Sequence, residues 1–253
     1  MKRHAPAKVN IFLKITGTRN GYHEIRSRFI LVESLCDTIR FVKKSRPSPA
    51  FELQCAHPLP KRNTLSEAYR LLSLEAPAVA SFFKEHAVVL EKHIPMGGGL
   101  GGGSSDAAAF LHLCNEVCAL NLSTEKIALI GEKIGADVPF FVYGYKSANV
   151  EGIGESIEPF EEEVPRLELM TPPLHCDTAA VYQAFRKHFS HNIDADAAKA
   201  WLNLPSTEIL QSVTPKAAND LYGPALQLYP ELQKYAASDR FFSGSGSTHF
   251  TPA

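Results

Sequence analysis

Pro95-Met96-Gly97-Gly98-Gly99-Leu100-Gly101-Gly102-Gly103-Ser104-Ser105-Asp106 places six glycines in the seven positions from Gly97 to Gly103. Ordering such a segment loses much backbone entropy, so it is worth ordering only where the backbone must approach something closely. A short apolar strand candidate, Ala87–Lys92, precedes the loop, and an Ala-, Leu- and Cys-rich helix candidate, Asp106–Leu120, follows it. The loop N–H groups and the helix N-terminus then converge on one point, which suits a phosphate. Ser104 and Ser105 add hydroxyls for phosphate oxygens or a bound Mg²⁺. A flexible linker is the bland alternative, and the bracketing strand and helix weigh against it. A P-loop needs a lysine directly before the Ser/Thr, and none precedes Ser104. Gly97, Gly99 and Gly102 match a dinucleotide fingerprint formally. That fingerprint also needs a second strand ending in an acidic residue, and the stretch from Glu116 to Lys126 lies inside or between helices.

Upstream, Val9, Ile11, Leu13 and Ile15 alternate with Lys8, Asn10, Phe12 and Lys14. Period 2 makes this a strand with Lys8 and Asn10 on one face. Phe29–Glu33 and Thr38–Lys43 are two more strand candidates with a turn at Cys36-Asp37, and residues 44–50 are a loop. Thr64-Leu65-Ser66-Glu67 fits a capping box opening a helix to about Leu74. Ser123 caps another that ends near Gly135. Residues 154–166, rich in Glu, are a solvated hairpin or loop at a domain edge. Beyond them come a strand at Leu167–Met170, helices near Ala179–Phe189, Ala195–Trp201 and Gly223–Ala237, and a second glycine-serine loop, Ser243–Ser247. This mixture is α+β rather than strictly alternating. Domains are expected at 1–148 and 149–253.

Hydrophobic residues at 45% support a real core without staples. A net charge of -1 gives no basic field to draw nucleic acid or an anionic membrane, so a polyanion must be held by a local site. The partners expected are small molecules, with no nucleic acid and no membrane. The five cysteines are odd in number and scattered, which suits a reducing compartment. Cys114 and Cys118 share a helical face as small hydrophobes, without the second ligand pair of a zinc site, and no metal-ligating set is assigned. No signal-peptide core or membrane-length stretch is seen, so the cytoplasm is the expected location.

Pro95–Ser105 resembles the phosphate loop of the galactokinase, homoserine kinase, mevalonate kinase and phosphomevalonate kinase superfamily. Three segments narrow the resemblance. Ala5-Pro6-Ala7-Lys8-Val9-Asn10-Ile11-Phe12-Leu13-Lys14 with Gly21-Tyr22-His23-Glu24 is similar to the opening of the diphosphocytidyl-methylerythritol kinases. Gly135-Ala136-Asp137-Val138-Pro139-Phe140 is similar to their catalytic segment, and Phe242-Ser243-Gly244-Ser245-Gly246-Ser247 to the superfamily's third motif. The first motif is specific for this kinase. The loops alone give only the superfamily.

The resemblance implies a two-domain α+β kinase fold with the active site in the interdomain cleft, ATP as co-substrate and Mg²⁺ with it. It implies Asp137 as base toward an acceptor hydroxyl, where an aspartate satisfied by backbone donors is the plainer reading. It implies Lys8 as the residue that orients the hydroxyl and stabilises charge, with Asn10 beside it. Pro95, Met96, Gly97, Gly98, Gly99, Leu100, Gly101, Gly102, Gly103, Ser104 and Ser105 would hold ATP phosphates. Asn63 and Lys92 would meet the adenosine part, although a turn residue and a strand-end charge serve those positions as well. Tyr22 and His23 would form the cytidine pocket, with Thr178 and Tyr182 nearby and a core tyrosine equally consistent with Tyr182. Gly244, Ser245 and Gly246 complete the acceptor side. A homoserine or mevalonate kinase is the near rival, and its acceptor has no base to stack. A nucleotide-binding module without turnover is the rival from another class. Family members continue past the third motif with a further strand and helix, whereas this sequence ends at Thr251-Pro252-Ala253.

Overall fold

The alternation around Lys8 extends in both directions, and β1 runs Lys2–Arg19. The computed structural model describes residues 1–60 and 63–253. An Asn20-Gly21 turn follows β1, with φ of 51° and 82°. Two left-handed residues suit a two-residue hairpin, and β2 (Tyr22–Lys43) returns to pair with β1. The two expected strands at 29–33 and 38–43 are thus one strand, without a turn at Cys36-Asp37. Asp37 is fully buried, and its carboxylate accepts from the His93 and Ile94 N–H groups. Its polarity marks a buried partner set, not a bend.

By contacts the chain divides into two units: Met1–Ala7, Val32–Ile94 and Gly101–Gly144 in one, and Lys8–Leu31, Pro95–Leu100 and Tyr145–Ala253 in the other. A single cut at 148/149 does not describe this division, because β1 and β2 each feed both units. Lys8 and the front of the glycine loop group with the second.

In the first unit, Thr38–Lys43 of β2 pairs antiparallel with β4 (His86–Glu91), and β3 (Leu53–Cys55) pairs parallel with β4. Helices α1 (Thr64–Glu75), α2 (Pro77–Glu85), α3 (Gly102–Val117), α4 (Thr124–Glu132) and α5 (Val138–Tyr143) complete it, with α3 against α1, α4 and α5. The α1 cap is one residue earlier than expected: Asn63 Oδ1 accepts from Ser66 N–H at 2.9 Å, and Asn63 N–H donates to Ser66 Oγ at 3.2 Å. Phe41, Phe51, Tyr69, Phe83 and Phe110 form a shared ring cluster in this core.

In the second unit, Ile25–Ile30 of β2 pairs with β5 (Ser147–Gly152), and β6 (Ser156–Pro159) pairs with β5. The Glu-rich stretch therefore begins as a hairpin strand. A second sheet orders β7 (Leu167–Met170), β9 (His249–Pro252) and β8 (Phe241–Phe242). Helices α6 (Thr178–His188), α7 (Ser206–Ser212), α8 (Pro215–Ala218) and α9 (Tyr222–Leu228) lie between. The expected helix at 195–201 is instead turns and a short 3-10 segment, Ala200–Asn203. The one expected at 223–237 stops at Leu228. Pro230 cannot supply the N–H that a continuing helix needs, and a 3-10 segment, Pro230–Tyr235, follows.

Arg28 is fully buried in this second unit. Its Nε donates to Asn149 Oδ1 at 2.7 Å, Nη1 to Glu162 Oε1 at 3.2 Å and Nη2 to the Leu202 carbonyl at 2.9 Å. The guanidinium carbon sits 3.5 Å from the Phe160 ring centroid. Burial lowers the Arg28 pKa, and Glu162 opposes that shift.

Candidate active site

In the second unit, Lys8 and Asn10 stand on one strand face, as period 2 requires. Both are buried, so Lys8 is no solvated strand lysine. Lys8 Nζ donates to Asn10 Oδ1 at 2.6 Å and lies 4.4 Å from the Phe29 ring centroid. Asn10 Nδ2 donates to Ser27 Oγ at 3.0 Å. The amide orientation is fixed from both ends, which aims the ammonium. Lys8 N–H donates to the Leu100 carbonyl at 3.0 Å, tying the strand to the glycine loop.

The front of that loop packs on the second glycine loop. Ser243 Oγ donates to the Gly99 carbonyl at 3.0 Å, Thr248 N–H to the Gly98 carbonyl at 3.1 Å and Ser247 N–H to the Gly97 carbonyl at 3.1 Å. Gly99 has φ +73°, and a Cβ there would overlap the Ser243 carbonyl oxygen. Backbone meets backbone here, so neither side yields cheaply. Gly99→Ala is expected to weaken ATP binding about tenfold or more through the left-handed strain and this overlap, measured by calorimetry. Unchanged affinity would separate the loop from ATP.

Asn219 supports the second loop, donating through Nδ2 to the Phe242 and Gly244 carbonyls at 2.8 and 2.9 Å. Neither Asn219 nor Ser27 was expected from sequence. Both act across long separations, and no local pattern announces them. Thr178 Oγ1 and Ser245 Oγ are 2.8 Å apart. The His23 ring stacks on Tyr182 with centroids 5.3 Å apart and meets Phe185 edge-on. His23 Nε2 is buried with no hydrogen-bond partner. Burial, then Arg186, lowers its pKa, which keeps the imidazole neutral near pH 7. Tyr22 is 65% exposed, so its ring has an open face.

The first unit carries the rest. Gly101, at φ +70°, is the N-cap of α3, and Ser105 N–H donates to its carbonyl at 2.9 Å. Thr64 Oγ1 donates to the Gly103 carbonyl at 2.6 Å. Lys92 is buried between Asp37 and Asp106, with Nζ 2.9 Å from Asp106 Oδ2 and bonded also to Asp37. Burial opposes the Lys92 charge, but the two carboxylates outweigh it and raise the pKa. Burial, with Asp37 beside it, also pushes the Asp106 carboxyl up against the pull of Lys92. This triad grips the chain just before and just after the glycine run. A hollow of about 560 Å³ lies alongside, lined in part by Gln54, Cys55, His57, Leu90 and Lys92, a size that suits a small ligand. Asn63 spends its side chain on the α1 cap and on the Pro60 carbonyl. Asp137 stands at the N-terminus of α5 without capping it through its side chain. Among the described residues, no cluster of three His, Cys, Asp or Glu could hold a metal ion, and no helix is long and apolar enough to cross a membrane.

Relatives of known name match this chain over nearly its whole length. A 4-diphosphocytidyl-2-C-methyl-D-erythritol kinase of Sulfurovum sp. (strain NBC37-1) is 50% identical over 98% of this chain and 97% of its own. The chain belongs to the 4-diphosphocytidyl-2-C-methyl-D-erythritol kinase family. The GHMP kinases N terminal domain matches residues 63–145, the segment that runs from the α1 cap through the glycine loop and Asp137. A crystal structure of 4-(cytidine 5'-diphospho)-2C-methyl-D-erythritol kinase is 32% identical, with TM-score 0.71 over 100% of this chain and 90% of that one. A mevalonate kinase structure at 14% identity and TM-score 0.66 covers 100% of this chain and 91% of its own, and shares the fold. The chain is therefore an ATP-dependent small-molecule kinase, as this kinase family is, with the α+β fold expected from its sequence.

Proposed function

We propose that this chain moves the γ-phosphoryl group of ATP to the 2-hydroxyl of 4-diphosphocytidyl-2-C-methyl-D-erythritol, a step of the non-mevalonate route to isoprenoid precursors. The observation that carries the acceptor choice is the His23–Tyr182 stack with His23 Nε2 left without a partner. A buried polar atom without a hydrogen bond costs about 1–3 kcal/mol. The edge of a cytosine would relieve that cost, while Tyr22 and Tyr182 offer ring faces for stacking.

The transfer forms a bond from the acceptor oxygen to Pγ and breaks the bond from Pγ to the bridging oxygen, leaving ADP. Little covalent chemistry falls to the protein, so positioning and charge stabilisation dominate. Asp137 accepts the hydroxyl proton. Lys8, aimed by Asn10 and Ser27, holds the acceptor oxygen and offsets negative charge as it develops. The N–H groups from Gly97 to Ser105 hold the ATP phosphates at the start of α3. Lys92 and the hollow beside it take the adenosine. Mg²⁺ would arrive on the ATP phosphates, keeping several waters as that ion does, and the hydroxyls of Ser104 and of Ser105, whose Oγ is buried without a hydrogen-bond partner, would help to hold it. Its contribution is to neutralise phosphate charge. Five free cysteines are in keeping with action in the cytoplasm.

His23→Ala is expected to raise the acceptor KM by roughly tenfold or more while the ATP KM barely moves. ADP release measured over a panel of acceptor alcohols tests the assignment, with CDP as competitor. Efficient turnover of homoserine or mevalonate, together with indifference to CDP, would overturn it.

A further inference from the structure

His175 lies directly against Gly97. A Cβ built on Gly97 would overlap the ring at Nδ1, Cε1 and Cγ, so the imidazole fills the place where a side chain would stand. The backbone holds it there: Cys176 N–H donates to the Gly97 carbonyl at 3.3 Å, and Ser247 N–H donates to the same oxygen at 3.1 Å. The side chain is exposed. Two residues on, Asp177 caps α6 by accepting from Ala180 N–H at 2.9 Å. Thr178 then meets Ser245, and the next turn of α6 presents Tyr182 to His23. All of these residues belong to the second unit. That unit thus carries the aromatic pair assigned to the base, the Thr178–Ser245 contact, and an imidazole over the first glycine of the loop. The phosphates of a nucleoside diphosphate project away from its base, and an imidazole N–H is a donor suited to their charged oxygens.

We propose that His175 donates a hydrogen bond to the diphosphate of the cytidine-bearing acceptor. This rests on the acceptor reading above and adds a binding residue to it. Calorimetry with CDP, cytidine and a non-hydrolysable ATP analogue, on the unsubstituted chain, His175→Ala and His175→Gln, tests it. The alanine variant is expected to bind CDP about tenfold more weakly, with cytidine and the ATP analogue unchanged. Glutamine, which restores a donor, recovers part of the loss. Acceptor KM rises in step, and kcat holds. Should the alanine variant fail to fold, His175→Phe keeps a ring over Gly97 without a donor and makes the same comparison. Equal CDP affinity in variant and parent would overturn the proposal. So would equal weakening of CDP and cytidine, which would make the ring a packing element, or a loss confined to the ATP analogue. These three outcomes leave the acceptor reading standing. Failure of the unsubstituted chain to bind CDP would overturn that reading and this inference with it.

Discussion

Asp137→Asn is expected to lower kcat by roughly 10²–10⁴-fold, the span that follows loss of a general base. ATP affinity should persist. The substitution keeps the shape and removes only the proton acceptor. Asparagine is also well suited to the N-cap position of α5 that Asp137 holds. Single-turnover kinetics with saturating ATP, alongside a thermal melt, separate the two roles open to this residue. A variant with an unchanged melt and an unchanged rate would remove Asp137 from the chemistry. A collapse of the melt would make it a structural residue of the 135–140 segment.

Arg28→Met is expected to destabilise the fold by about 3–5 kcal/mol, the usual consequence of leaving one member of a buried ion pair alone. The partner left behind, the Glu162 side chain, is only 2% exposed. Ser206 N–H and Ser206 Oγ, at 2.6 and 2.8 Å, still donate to its carboxylate, so part of its charge stays satisfied and the effect falls short of total loss. Urea denaturation measures it. Adding Glu162→Gln to Arg28→Met should restore a part of the lost stability, since the second change removes the stranded charge. If the double variant is weaker by the sum of the two single effects, the pair is not coupled.

Local signals made the glycine loops, β1 and the Ser123 cap legible in the sequence. Glycine density, period-2 alternation and a capping hydroxyl act within a few residues, so reading them needs no tertiary contact. The sequence pattern divides β2 into two strands because the polar Asp37 stands between its two apolar stretches. Its reason lies at Lys92, His93 and Ile94, more than fifty residues away. The Asn-Gly hairpin at 20–21 is a strong local signal and lay in plain view beside Tyr22-His23. The same division holds at the site. Lys8, Asp137 and His23 came from motifs. The amide of Asn219, which braces the second glycine loop, and the ring of His175 over Gly97 depend on which loops are brought side by side, and chain periodicity carries no record of that. Lys92 was placed by motif as a nucleotide contact, and its two buried carboxylate partners could be seen only in three dimensions.

The 22-residue strand β2 is relevant to how this gene can be rearranged. Its residues up to Leu31 belong to one unit and those from Val32 to the other. Cutting the coding sequence after Gly144 would leave a fragment whose Ile25–Ile30 had lost the β5 strand that pairs with it. The complementary fragment would lack Lys8 and the front of the glycine loop. The six-stranded sheet would be split between the products, and only the three-stranded sheet would stay whole, in the second, so gene fission at the apparent domain border should yield two polypeptides with unpaired strand edges that aggregate. Recombination between relatives should succeed only when residues 8–31, 95–100 and 145–253 travel together.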